Sequence, residues 1–266
     1  MSEKKTLKFY RSGVKSDLPL VLLHALPLDA SMWNGVLREM PDMDVITVDA
    51  PGFGGSAPAA EFCATPDLGA YVDALKATLD SLGVTQILLG GLSMGGAVAA
   101  DFVLKYPQTV KALALMDTNI GADSDASRAG RIAIAEKAEA GKGYEAVQGW
   151  TRKMVSPNVT QSVRESLDCR LRRLPNESLA WMQRGMAART DATQAVQLID
   201  GPVYFVRGED DVTCSLETLL KWSLKAKHPR VEEIPNAGHF SADEQPAVLA
   251  GILTDFVKAA KGDGKD

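Results

Sequence analysis

The sequence predicts an α/β fold, a doubly wound and mostly parallel sheet with a helical cap inserted late in the chain. Three observations carry this. Short runs of Val, Ile and Leu recur along the chain, and they are continuous rather than alternating, as in strands covered on both faces. Helix-period segments fall between them, the strand–helix alternation of a parallel sheet. One long stretch then breaks the rhythm with helical patterns alone. A length of 266 residues suits one large domain or a domain with an insertion.

Taken in order, strands are read at Leu20–Leu23, Asp44–Asp49, Gln86–Gly90, Ala112–Met116, Val203–Val206 and Val231–Ile234. The segment Pro66–Leu82 spaces Leu68, Tyr71, Val72, Leu75 and Leu79 at the helical period and stops at Gly83. A second helix, Met94–Tyr106, ends before Pro107. Asp243–Ala260 is read as one closing helix. Right-handed crossovers put these helices on both faces of the sheet. From Gly121 to Asp200 no strand pattern occurs, and Trp150, Met154, Trp181, Met182 and Met186 stand among many arginines. This divides the chain into a core of residues 1–120 and 201–266 and a helical cap of residues 121–200, with a run of extra core helices as the other arrangement.

Bulk composition narrows the function classes. With 45% hydrophobic and 24% charged residues the chain can fill a core and is not disordered. A net charge of −5 disfavours a nucleic-acid partner. Cys63, Cys169 and Cys214 have no metal-like spacing and read as reduced thiols of a cytoplasmic protein. Met1–Thr6 is charged and no apolar stretch follows it, so no signal peptide is expected. The run Ile87–Ala100 is too short and too glycine-rich to span a bilayer, so no membrane partner is expected either. Lys261–Asp266 reads as a solvated tail.

The chemistry is carried by Gly91-Leu92-Ser93-Met94-Gly95, which joins an apolar strand to a small-residue helix. A sharp turn there exposes the serine, and glycines two before and two after it let neighbouring backbone pass closely. A serine nucleophile needs a histidine base, and the base needs an orienting carboxylate. There are three histidines. His24 ends the first strand and is read as bracing the loop after it. His228, before Pro229, is read as the end of a helix. His239 follows the strand at Ile234, on the edge where α/β sites are built, and is the candidate base. The acid is sought after a strand at the same edge, which offers Asp210, Asp211 and Asp117. The tetrahedral oxyanion requires two backbone donors, and the amides of Met94 and Leu26 are the candidates.

With these residues placed, the chain resembles the α/β-hydrolase superfamily over nearly its whole length. Four signals stand in the family order: His24-Ala25-Leu26-Pro27, Asp49-Ala50-Pro51-Gly52-Phe53-Gly54-Gly55-Ser56, Gly91-Leu92-Ser93-Met94-Gly95-Gly96 and Asn236-Ala237-Gly238-His239. The resemblance implies a Ser93–Asp211–His239 triad, because the family's acid stands three residues after a glycine, here Gly208. That match puts Asp211 ahead of Asp210, with Asp117 third. Asp49 belongs to a structural turn and receives no catalytic role. Two departures are visible: Ala25 stands where the family usually has glycine, and Cys214-Ser215 replace a common proline in the acid loop. Serine at position 93 disfavours the dehalogenase and epoxide hydrolase reactions, whose nucleophile is aspartate. The look is closest to small carboxylesterases and enol-lactonases.

The function expected is hydrolysis of a small carboxylic ester or lactone through an acyl-enzyme, with no metal or organic cofactor. An acyltransferase, a C–C bond hydrolase or a lyase on the same triad is the alternative, and a hydrolase-fold receptor for a small ligand is a third possibility. Between Gly149 and Arg189 eight Lys or Arg face three Asp or Glu, a bias that would favour anionic substrates unless these side chains are solvated or paired.

Overall fold

The computed structural model describes residues 5–262; the expectations for Met1–Lys4 and for Asp263–Asp266 lie outside the described residues. Among the described residues seven strands form one sheet. They are β1 (Phe9–Ser12), β2 (Leu20–Leu23), β3 (Val45–Val48), β4 (Ile87–Leu92), β5 (Val110–Met116), β6 (Pro202–Gly208) and β7 (His228–Ile234). Their spatial order is β1-β3-β2-β4-β5-β6-β7, with β1 antiparallel to β3 and every other pair parallel. The four strands β2 to β5 are buried nearly throughout, which is why they read as unbroken apolar runs.

The helices are α1 (Asn34–Arg38), α2 (Leu68–Ser81), α3 (Met94–Lys105), α4 (Asp125–Glu139), α5 (Gly143–Val147), α6 (Trp150–Lys153), α7 (Gln161–Leu171), α8 (Asn176–Ala188), α9 (Leu216–Ser223), α10 (Ser241–Glu244) and α11 (Pro246–Lys261). In α2 the five predicted apolar positions are all buried, and Asp67 caps the first turn by accepting from the Gly69 amide. Helix α3 is buried on almost every side, and its small residues let it lie close against the sheet.

Three sequence expectations are corrected. Strand β1 escaped notice because Phe9-Tyr10-Arg11-Ser12 is a half-exposed edge with one partner, so it lacks the apolar signature of a covered strand. His228 opens β7 rather than ending a helix; Pro229 is tolerated there because β7 is the other edge, with β6 as its single neighbour. The closing helix is two helices: Gln245 leaves the helical region (φ −137°, ψ 59°), which a following proline disfavours, and Pro246 starts α11.

Residues 121–200 contain α4 to α8 and no strand. They leave the chain between β5 and β6, from the carboxyl edge of the sheet. At that edge β2 is flanked by β3 and β4, so the connections leave in opposite directions and open a crevice where the site forms.

Candidate active site

Ser93 sits between the last residue of β4 and the first of α3 with φ 55° and ψ −115°. A non-glycine residue there is strained by about 1–3 kcal/mol, and its neighbours hold it. Its amide donates to Met116 O at 2.9 Å, and its carbonyl accepts from the Gly96 amide at 3.0 Å and from Thr118 Oγ1 at 2.6 Å. The flanking glycines are spatial necessities. A Cβ on Gly91 would stand 2.2 Å from Gly95 O, and one on Gly95 would stand 2.3 Å from Leu23 O. Close packing of the turn against β2 is therefore written directly into the sequence.

Three side chains from three loops converge. His239 Nε2 lies 2.8 Å from Ser93 Oγ, and His239 Nδ1 lies 3.0 Å from Asp211 Oδ2. Burial pulls the imidazole down, but the charge and hydrogen bond of Asp211 hold its pKa above the ordinary value, with Asp117 and Glu244 adding to this. Burial pushes Asp211 up, but the His239 pairing and the donors of Thr213 keep it below the usual carboxylate range. Sequence reasoning missed Thr213. Its amide and hydroxyl donate to Asp211 Oδ1 at 2.7 and 2.8 Å, and its Oγ1 lies 2.7 Å from His239 Nδ1. A hydroxyl two residues past an acid is too common a pattern to single out without the fold.

The other acids do different work. Asp210 turns away from the histidine and accepts from Ser156 Oγ at 2.6 Å. Asp117, fully buried after β5 with φ 45°, accepts from the Gly208 amide at 2.7 Å and from the Ser241 hydroxyl. Burial and the nearby Asp211 push its pKa up to about 8. Asp49 accepts from the amides of Ala30 and Gly55 at 2.8 Å each, a turn brace as expected.

Leu26 and Met94 line the same cavity as Ser93. Met94 opens α3, where the first amides of a helix have no partner within it. Fully buried His24 accepts from the Ala50 amide through Nε2 at 2.9 Å, while Nδ1 lies 2.9 Å from Ala25 O. It thus ties the loop bearing Leu26 to the end of β3, while the serine hydroxyl pairs with His239.

The cavity encloses about 400 Å³ between the sheet edge and the helical insertion. Trp150, Met154 and Met186 form part of its wall; Trp181 and Met182 are buried elsewhere, with Trp181 Nε1 donating to Cys63 O at 3.0 Å. Facing Ser93 from the insertion is a charged group that sequence reading did not isolate. Arg131 Nε and Arg189 Nη2 share Asp123 at 2.5 and 2.6 Å, and Arg131 Nη1 reaches Gln183 Oε1 at 3.3 Å. Arg189 Nε is buried with no hydrogen-bond partner. Behind it stands Asp101, whose pKa burial pushes up to about 6. The other basic residues are largely spent elsewhere: Arg170 pairs with Asp243, Arg172 with Asp168 and Arg184 with Glu139. No group of His, Cys, Asp and Glu among the described residues is arranged to hold a metal ion, and no described helix is long and apolar enough to cross a membrane.

The model of the alpha/beta hydrolase family matches residues 20–252. The chain belongs to that family. Its curated relatives include the 2-succinyl-6-hydroxy-2,4-cyclohexadiene-1-carboxylate synthase of Klebsiella pneumoniae, 27% identical over 245 residues that cover 90% of this chain and 93% of the synthase. Among solved structures, a thermophilic esterase from Thermogutta terrifontis with malate bound superposes with a TM-score of 0.88 at 28% identity, covering 96% of this chain and 93% of the esterase. The enol-lactonase of Burkholderia xenovorans LB400 shares the fold, with a TM-score of 0.82 at 19% identity over 95% of this chain and 96% of its own.

Proposed function

We propose that this protein is a serine hydrolase that cleaves a small carboxylic ester or lactone, with residues 121–200 as a cap over the site. The observation that carries the reading is the unbroken chain of contacts from Ser93 Oγ through His239 to Asp211. His239 Nε2 takes the Ser93 proton as Oγ attacks the substrate carbonyl. The amides of Met94 and Leu26 donate to the oxyanion, and each such donor is worth roughly 100- to 1,000-fold in turnover. The carbonyl re-forms as the alkoxide leaves with the proton from His239. A water that gives its proton to the same imidazole then releases the acid and restores Ser93. Asp211 fixes the tautomer and stabilises the imidazolium. No cofactor enters these steps.

The substrate favoured is one with an anionic end. Arg131 and Arg189 line the same cavity as Ser93 and share one carboxylate, and Arg189 keeps an unused N–H. The malate in the esterase and the carboxylate in the synthase's name agree with this reading. The same basic wall and the 27% identity to the synthase favour a lyase as the second reading, with Ser93 and His239 acting as a base and no acyl-enzyme formed.

The test is turnover of a p-nitrophenyl ester series from acetate to octanoate, with a mono-ester of a dicarboxylic acid added, by wild type and Ser93→Ala. Turnover confined to the wild type and highest for the acidic ester supports the hydrolase. No ester turnover in either protein rejects it in favour of the lyase. Added alcohol acceptors separate transfer from hydrolysis.

A further inference from the structure

Glu244 stands five residues after His239 and takes no part in the steps above. Its carboxylate turns back into the protein and accepts three backbone N–H groups. Oε2 accepts from Ser156 at 2.7 Å and from Gly238 at 2.9 Å, and Oε1 accepts from Phe240 at 3.1 Å. Gly238 and Phe240 are the two chain neighbours of His239. The N–H of His239 donates in turn to Met154 O at 2.7 Å. Met154 and Ser156 both belong to the helical insertion. A Cβ on Gly238 would lie 2.5 Å from Met154 O, so the two backbones touch. Ser156 is fully buried, and its Oγ is the donor to Asp210, the neighbour of Asp211.

We propose that Glu244 is a positioning residue that latches the His239 loop to the Met154–Ser156 segment, so that the insertion sets the geometry of the base. This rests on the reading of Ser93 and His239 as nucleophile and base. The chemistry of the group fits the task. A carboxylate presents only lone pairs and can satisfy three converging donors, whereas an amide would turn an NH₂ toward an N–H. Ser156 then carries the latch to the acid loop, so base and acid are both referred to one buried residue of the insertion. A small displacement matters, because misplacing a catalytic group by an ångström costs about 100-fold.

The ionisable groups facing His239 are Asp211, Asp117 and Glu244, and Asp243, paired with Arg170 of α7, stands beside Glu244. Removing the Glu244 charge therefore lowers the His239 pKa, while shortening the side chain disturbs position and keeps the charge.

The experiment compares wild type, Glu244→Gln, Glu244→Asp and Ser93→Ala. One readout is the rate of covalent labelling by a fluorophosphonate probe. The other is the NMR titration of the His239 ring, assigned against His239→Gln. Glu244→Gln is expected to label about 10- to 100-fold more slowly, with the His239 titration moved to lower pH. Glu244→Asp is expected to label slowly too, with the titration restored toward that of wild type. Labelling of Glu244→Gln at the wild-type rate, with an unmoved titration, overturns the latch. Should Glu244→Gln fail to fold, wild-type labelling of Glu244→Asp overturns it equally. Labelling of Ser93→Ala at the wild-type rate overturns the underlying reading instead, and that control keeps the two failures apart.

Discussion

At the sheet edge, backbone requirements place the chemistry. Ser93 is held in a conformation few residues adopt, with Gly91 and Gly95 making room for the strand and helix that meet there. Across the same cavity, the helical insertion places Arg131, Arg189 and Gln183 through side-chain pairing around Asp123. One wall is fixed by sterics that tolerate no Cβ; the other is held by ion pairs around the Asp123 carboxylate. The difference separates what the site does from what it does it to. On the proposed function, reaction type would belong to the sheet edge and substrate choice to the insertion.

The largest expected effect lies on the sheet side. Asp211→Asn should lower kcat for ester hydrolysis by about 10,000-fold, as loss of the orienting carboxylate does in serine hydrolases. Asp117→Asn should lower it only a few-fold, because that carboxyl touches Gly208 and Ser241 and not the imidazole. Equal losses in the two variants would erase the distinction drawn between these acids.

On the insertion side, Arg131→Ala should raise KM for an acidic acyl ester by about 10- to 100-fold, the worth of a charged hydrogen bond. A neutral ester of similar size should be unaffected, with kcat unchanged for both. A matched loss on both esters would place Arg131 in scaffolding.

The steric contrast is open to calorimetry. Gly95→Ala should cost about 1–3 kcal/mol of stability, because its Cβ meets the backbone of β2. Gly130→Ala, in α4 with nothing within 4 Å of the added carbon, should gain up to about 1 kcal/mol. A destabilised Gly130→Ala would show the insertion to be packed as tightly as the core.

The smallest effect is in pH. The base works only as neutral imidazole, and Asp211 holds its proton more firmly than usual. The acid limb of kcat/KM should therefore have its midpoint above the ordinary histidine value of about 6.5, with activity lost as pH falls through it. In Asp211→Asn the residual activity should persist to lower pH. A limb that stays in place would mean that Asp211 is not the charge His239 senses.

These contrasts also explain what the sequence could reveal. The turn at Ser93, the loop at His239 and the covered strands are demands of backbone and burial, and such demands leave few residue choices. Asp211 and Asp210 are neighbours on one loop; the family resemblance, through its spacing from Gly208, put Asp211 first, and in the structure Asp211 meets His239 while Asp210 accepts from Ser156. Asp117 looked like a third acid because a carboxylate after a strand says nothing of its partners. In the insertion the basic excess was visible, but its meaning was not. Of the counted arginines, Arg170, Arg184 and Arg189 pair with acids far off in sequence and Arg172 with an acid one turn away, while Arg131, which lines the cavity, lies outside the counted stretch.

The most direct test is mass spectrometry of the protein quenched during turnover of a p-nitrophenyl ester. One acyl group should be found on the peptide bearing Ser93, accumulating in a burst equal to the enzyme present and absent from Ser93→Ala. Steady ester turnover with no acylated Ser93, undiminished in Ser93→Ala, would contradict the mechanism.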